Sequence, residues 1–335
     1  MNQKYKDKKL LLKVTNLKVY FNIKNNKTWF WHPAKILKAV DGVNLLLHEG
    51  ETLGIVGESG CGKSTVARAL IGLITVTDGC VEWLSKNLLN IDAKEWHLVR
   101  KDIQMIFQDP LSSLNPRMTV GEIIAEPLKT YYPKMLYAEI KDKVKNMMVK
   151  VGLLPNFINS YPHEFSGGQC QRISIARALL FQPKLIICDE PISALDVSIQ
   201  AQIVNLLQQL QREKMRLSLI FIAHNLTIVK HISDWIMVMY LGHVVEFGTY
   251  EEIYSNSLHP YTKALISAVP IPDPDVEQQK QIHILKGELP SPINPPLGCI
   301  FCTRCPIADY QCTIIRPLMK GNFYHKVACL KVDKI

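Results

Sequence analysis

No stretch of this sequence stays apolar for long enough to cross a bilayer. The longest runs, such as Trp235 to Leu241, fall far short of the roughly 18 to 20 residues that a spanning helix needs. The start also lacks the apolar core and small-residue cleavage site of a signal peptide, since lysines through Lys9 lead straight into Leu10-Leu11-Leu12. The chain is therefore expected to stay in the cytoplasm. Acidic residues are the minority charge, with 30 Asp and Glu against 39 Lys and Arg and a net charge of +9. A surplus of that sign suits nucleic acid or an anionic membrane surface. The sequence has no dense Arg/Lys run, however, and no aromatics interleaved with one for base stacking, which favours a solvated basic surface. The nine cysteines are odd in number, and without a secretion signal they argue against a disulfide framework.

At 335 residues and 47% apolar content, the chain can bury a large core in one large domain plus an appendage, or in two domains. Its organising stretch is Gly57-Glu58-Ser59-Gly60-Cys61-Gly62-Lys63-Ser64-Thr65. The apolar run Thr52 to Val56 precedes it and Val66 to Ile71 follows, which reads as strand, tight glycine loop, helix. A G-x-x-x-x-G-K-[ST] loop in that setting is a phosphate cradle, with backbone N–H groups and a helix N-terminus aimed at an anion. Lys63 can reach the β- and γ-phosphates, and the Ser64 hydroxyl can bind Mg²⁺. A glycine turn beside a surface lysine is the plainer alternative.

The rest of the chain alternates strands and helices. Leu10 to Val14, Leu17 to Ile23, Val40 to Leu47 and Glu51 to Val56 read as strands. Residues 24–38, with Trp29-Phe30-Trp31, read as a long connection. From Leu111 to about Tyr161 the pattern is helical and polar, punctuated by Gly and Pro. Lys184 to Asp189 is a continuous apolar run ending in an acid, as a buried parallel strand would deliver a carboxylate to the C-terminal edge of a sheet. Leu217 to Ala223 is a second such strand, and Ile199, Ile203, Leu206, Leu207 and Leu210 form a helical stripe between them. The alternation predicts a mostly parallel, three-layer α/β domain. Two proline-rich segments, Pro270 to Pro274 and Pro290 to Pro296, bound a C-terminal appendage.

A phosphate loop alone leaves kinases, GTPases, helicases and transport ATPases open. Ser166-Gly167-Gly168-Gln169-Cys170-Gln171-Arg172 narrows the choice. Physically it is a second anion site, with a hydroxyl and glycine amides opening a helix, and it resembles the signature of ABC-family ATPases. That resemblance implies an ABC-type P-loop ATPase domain with an antiparallel N-terminal β subdomain and a helical insertion. It also implies ATP sandwiched between this chain's phosphate loop and the signature of a second ATPase subunit. Position by position, Asp189 then corresponds to a Mg²⁺ ligand and Glu190 to the general base for the attacking water. Gln108 corresponds to the glutamine that senses Mg²⁺ and the attacking water, and Asp196, in Ser193 to Asp196, lies in the segment that crosses the dimer interface. His224 corresponds to the switch histidine at the γ-phosphate, followed here by Asn225 where the family usually has Asp. Phe21, with Tyr20 as the alternative, is the aromatic expected to stack on adenine.

Leu258-His259-Pro260-Tyr261, Gly287 to Pro292 and a cysteine-bearing tail narrow the resemblance to the ATP-binding subunits of dipeptide and oligopeptide importers. The implied boundaries are a tail at 1–9, an ATPase domain at 10–255 with its helical insertion at about 111–175, and a C-terminal region at 256–335. The implied partners are a homologous D-type ATPase subunit, two polytopic membrane subunits and an extracytoplasmic peptide-binding protein, with this chain on the cytoplasmic face of the inner membrane. Spacing alone makes Cys299, Cys302, Cys305 and Cys312 a candidate metal or Fe–S site. The resemblance instead implies Cys299, Cys305, Cys312 and Cys329 as ligands of a [4Fe–4S] cluster, with Cys302 an extra thiol. Zinc and unligated cysteines are the alternatives. Two rival functions stand beside transport: a soluble ABC ATPase acting in translation or DNA repair, and a nucleic-acid-binding protein whose Fe–S tail senses redox state. The first usually carries two ATPase domains or a long coiled-coil insert, neither visible here, and the second would bind nucleic acid in a salt-sensitive way.

Overall fold

The computed structural model describes residues 8–23, 35–193, 195–213, 217–270, 275, 280, 284–285 and 287–332. The expectations for the tail before Lys8, for Trp29-Phe30-Trp31, for Ala194 and for Ile271 to Pro274 lie outside those residues.

In chain order the elements begin with β1 (Leu10–Ile23), β2 (Lys35–His48), β3 (Thr52–Val56), α1 (Lys63–Leu70), β4 (Asp78–Trp83) and β5 (Lys86–Asn87). Next come α2 (Ala93–Asp102), β6 (Ile103–Ile106), α3 (Pro110–Ser113), α4 (Val120–Tyr131), α5 (Tyr137–Lys150) and α6 (Gly167–Leu179). Then follow β7 (Leu185–Asp189), α7 (Val197–Glu213), β8 (Ser218–Ile222), α8 (Leu226–Ile232), β9 (Trp235–Tyr240) and β10 (His243–Thr249). Last are α9 (Tyr250–Ser255), α10 (Pro260–Ser267), the short helix Tyr310–Ile314, β11 (Lys320–Gly321) and β12 (His325–Val327).

The chain divides into two compact units, the first made of residues 1–48, 52–90 and 224–335, the second of 49–51 and 91–223. The first holds an antiparallel sheet in the order β2-β1-β4-β5 and a run of strands in the order β11-β12-β10-β9-β3. Within that run β3 and β9 are parallel, and the remaining pairs are antiparallel. Two elements differ from the sequence reading. β1 is one strand rather than two, because Asn16 turns through positive φ and absorbs the offset as a register shift between Val14 and Leu17. β2 begins at Lys35, inside the stretch read as a connection, since Ile23 and Lys35 pair across β1 and β2. That pairing is a tertiary event with no local signal.

The second unit carries the parallel order β8-β7-β6 with the helices of the insertion. Every residue of β7 and β8 is buried, which is why both read as unbroken apolar runs rather than alternating ones. α4 opens on a capping box between Thr119 and Glu122 and buries Val120, Ile123, Ile124 and Leu128 along one stripe. α4 packs against α6 and α5.

Candidate nucleotide site

In the first unit the loop from Gly57 to Gly62 joins buried β3 to α1, and two of its glycines have no substitute. Gly57 lies at φ 150° and Gly62 at φ 104°. A Cβ on Gly57 would sit 2.2 Å from the Met239 carbonyl oxygen, and one on Gly62 would sit 2.3 Å from that of Ala39. The Lys63 side chain is buried, and its Nζ donates to the carbonyls of Gly57 at 2.8 Å and Glu58 at 3.1 Å. The first turn of α1 carries no acidic side chain to offset the positive end of the helix dipole. Ser59 and Gly60 are exposed, Ser64 and Thr65 are half-buried, and Cys61 is buried beneath the loop with its thiol pushed up by that burial. A glycine cradle, a helix N-terminus and a captive ammonium fit a polyphosphate.

The adenine alternatives separate on β1. The Tyr20 hydroxyl donates to Asp41 Oδ1 at 2.7 Å, and Lys38 Nζ lies 5.4 Å from its ring centroid. Phe21 is 37% exposed, which leaves a ring face for a base to cover. His224 is exposed as well. Asn225, the departure from the usual family Asp, N-caps α8 by accepting the Thr227 N–H at 2.9 Å, so the helix-starting acceptor survives loss of the charge.

In the second unit the register of two strands brings together residues 82 positions apart. Ile106 of β6 faces Cys188 of β7, so two residues beyond each lie Gln108 and Glu190. Gln108 Nε2 donates to Glu190 Oε2 at 2.8 Å. Glu190 sits at φ 47°, a strained conformation for a residue with a Cβ. It is fixed by donating its N–H to Ile222 O at 3.0 Å and accepting the Ser193 hydroxyl at 3.1 Å on its own carbonyl. Asp189, the last residue of β7, is fully buried. The carboxylates thus part ways, one sunk at the strand end and the other turned toward Gln108.

The same unit shows why the signature needs its residue types. Ser166 is the N-cap of α6: its hydroxyl accepts the Gln169 N–H, and Gln169 Oε1 accepts the Ser166 N–H at 3.0 Å. Ser166 and Gly167 are exposed, whereas a Cβ on Gly168 would lie 2.7 Å from Ile199 Cγ2 of α7. A Cβ on Gly167 would be 3.4 Å from Leu195, next to exposed Asp196, so the signature and the Ser193 to Asp196 segment share one outer face.

The cysteine tail holds five thiols. Cys299, Cys302, Cys305, Cys312 and Cys329 are all unpaired thiols. Burial pushes Cys299 up to about 11, and burial likewise raises Cys302 and Cys305, with neighbouring cysteines adding to it in each case. Among the described residues, no group of three or more His, Cys, Asp or Glu side chains is placed to hold a metal ion. Ligation of a [4Fe–4S] cluster needs thiolates converging on one point, and the described residues give that expectation no support.

Glu58, inside the phosphate loop, meets partners that sequence reasoning missed. Its carboxylate accepts from both terminal nitrogens of Arg304, at 2.8 and 3.2 Å, and its N–H donates to the Tyr261 hydroxyl at 2.8 Å. A separation of 246 residues leaves no local pattern that could have revealed the ion pair.

Two family patterns match the chain, "ABC transporter" over residues 40–193 and "Oligopeptide/dipeptide transporter, C-terminal region" over residues 245–312. The chain is 70% identical over 335 residues to the "Oligopeptide transport ATP-binding protein OppF" of Salmonella typhimurium, covering 100% of both chains. Identity to the "Dipeptide transport ATP-binding protein DppF" of Escherichia coli is 46% over 324 residues, covering 97% of this chain and 95% of that protein. Among solved structures, the dimeric ATP-binding cassette MJ0796 with ADP and Pi superposes with a TM-score of 0.63 at 29% identity, covering 72% of this chain and 99% of that one. With phosphate cradle, successive strand-end carboxylates and capped signature helix in one chain, and these likenesses along its whole length, the protein is an ATPase that belongs to the ABC transporter family, among its oligopeptide and dipeptide transport ATP-binding proteins.

Proposed function

We propose that this chain binds and hydrolyses ATP to drive import of oligopeptides, working as a heterodimer with a homologous D-type ATPase subunit on two polytopic membrane subunits. An extracytoplasmic peptide-binding protein would deliver the substrate. The observation that carries the reading is the exposed, capped start of α6. Ser166 and Gly167 are exposed there, and the serine hydroxyl caps the helix start, which suits an anion held on the phosphate loop of a partner. Among the described residues no helix is long and apolar enough to cross a membrane, so attachment to the cytoplasmic face would come through the membrane subunits. The named relatives are transport proteins, which weighs against a role in translation or DNA repair.

Lys63 and the amides opening α1 bind the β- and γ-phosphates. Ser64 and Asp189 are the residues that would hold Mg²⁺, whose chemistry is to neutralise phosphate charge. Glu190 accepts the proton of the attacking water, and Gln108 holds that carboxylate by donating to it. Phe21 stacks on adenine, His224 contacts the γ-phosphate, and Asp196 lies at the subunit interface.

The test is affinity purification of the tagged chain from detergent-solubilised membranes, with identification of what accompanies it. Two polytopic proteins and a homologous ATPase are expected, while a soluble homodimer accompanied by ribosomes or DNA would overturn the transport role. A Lys63→Ala chain should lose nucleotide binding in an equilibrium titration.

A further inference from the structure

We propose that Arg304, together with Tyr261, is a positioning residue for nucleotide: the C-terminal region sets the shape of the phosphate loop by gripping Glu58. The inference rests on reading residues 57–65 as the nucleotide cradle.

Every polar group of Glu58 is engaged. Its carbonyl accepts from Lys63 Nζ at 3.1 Å and from the Cys61 N–H at 3.3 Å, which are contacts within the loop. Its N–H and both carboxylate oxygens instead reach Tyr261 and Arg304, outside the loop. The side chain of Arg304 is 10% exposed and that of Glu58 30%. A two-pronged guanidinium–carboxylate pair fixes orientation as well as distance, which a single contact to a flexible lysine would not.

The grip has a rigid mounting. Tyr261 is fully buried, with its ring 4.8 Å from that of Tyr240 and 5.5 Å from that of Phe301. Phe301 is fully buried too, and its ring also lies 5.3 Å from Tyr240 and 5.4 Å from His259. Arg304 follows Phe301 by one turn, with its N–H donating to the Phe301 carbonyl at 3.0 Å, and its guanidinium lies 5.9 Å from the Tyr240 ring. Two further backbone bonds tie this turn: Cys302 N–H to Cys299 O at 3.1 Å, and Cys299 N–H to Cys312 O at 2.8 Å. Phe301 is thus an anchor in an aromatic pocket, and Arg304 is the arm that the anchored turn extends to the loop.

A loop held in its binding shape spares the nucleotide the entropy of ordering it. Releasing the arm should therefore weaken binding without touching any group that meets phosphate. The test uses the full-length chain and two measurements, amide hydrogen exchange of residues 57–64 without nucleotide and affinity for Mg-ATP. Arg304→Ala is expected to speed exchange in the loop and to weaken Mg-ATP affinity about tenfold. Adding Glu58→Gln to Arg304→Ala should change the affinity less than twofold further, because the two substitutions break the same pair. Arg304→Lys should recover part of the loss. Unchanged loop exchange in Arg304→Ala overturns the proposal, as does additive loss in the double variant. If Arg304→Ala does not fold, Glu58→Gln, which keeps side-chain shape, decides on the same two readouts. Should the unaltered chain fail to bind Mg-ATP, the nucleotide reading falls, and loop exchange alone then judges the grip.

Discussion

Glu190→Gln separates what Glu190 does from where it sits. The substituted amide can still accept from Gln108 Nε2, which now donates to Glu190 Oε2 at 2.8 Å. The backbone at φ 47° is retained as well, so the side chain should hold its place while losing the ability to take a proton. General-base catalysis contributes roughly 10²- to 10⁴-fold, and loss of that order is expected in single-turnover hydrolysis by the assembled complex, with ATP affinity unchanged. Gln108→Ala acts differently, because it removes only the donor that orients the carboxylate. A hydrogen bond to a charged group contributes about 1.5 to 3 kcal/mol when shielded. Gln108 is exposed, so about 1 kcal/mol is the better figure, which corresponds to a roughly fivefold slower step. Since Gln108 would act through Glu190, the double variant should be no slower than Glu190→Gln alone. Quenched-flow measurement of phosphate release after mixing with ATP reads all three rates. Turnover of Glu190→Gln at the unaltered rate would refute the base assignment. A double variant slowed by the product of the two single effects would show that Gln108 works on something other than Glu190.

Gly57→Ala should be disruptive, since its Cβ meets the Met239 carbonyl oxygen at 2.2 Å and its φ is 150°. A loss of about 2 to 4 kcal/mol in denaturant-midpoint stability is expected from overpacking plus backbone strain; a loss below 1 kcal/mol would mean that the loop relaxes away. Acid should weaken the fold through His259. It is buried, its Nδ1 accepts the Tyr261 N–H at 3.1 Å, and burial pushes its pKa down to about 4 from 6.5. Because the unfolded chain then binds more protons between those values, stability contributed by neutral His259 is present above about pH 6.5 and falls as pH drops toward 4, by up to about 3 kcal/mol. Urea unfolding of the unaltered chain and of His259→Asn across that range should show a gap that narrows as pH falls, and parallel curves would remove His259 as the cause.

How much was legible from sequence depends on how local each constraint is. The phosphate cradle, the buried strand ending in Asp189 and the serine-capped start of α6 are all written in contiguous residues. Glycine spacing, an unbroken apolar run and a cap followed three residues later by Gln169 each dictate a backbone shape within one turn or strand. Tertiary structure decided what depends on register and on long loops. It began β2 at Lys35 against Ile23, and it set Gln108 against Glu190 through the pairing of β6 with β7. It engaged Tyr20 with Asp41 while leaving Phe21 exposed. Cysteine spacing pointed to a metal site, yet spacing fixes the order of thiols along the chain and not their convergence, which the described residues do not show. The Arg304–Glu58 pair is the far limit of the same rule. Opposite charges separated by 246 residues carry no mutual signal in sequence, and only the packing of Phe301 among Tyr240, Tyr261 and His259 delivers one to the other.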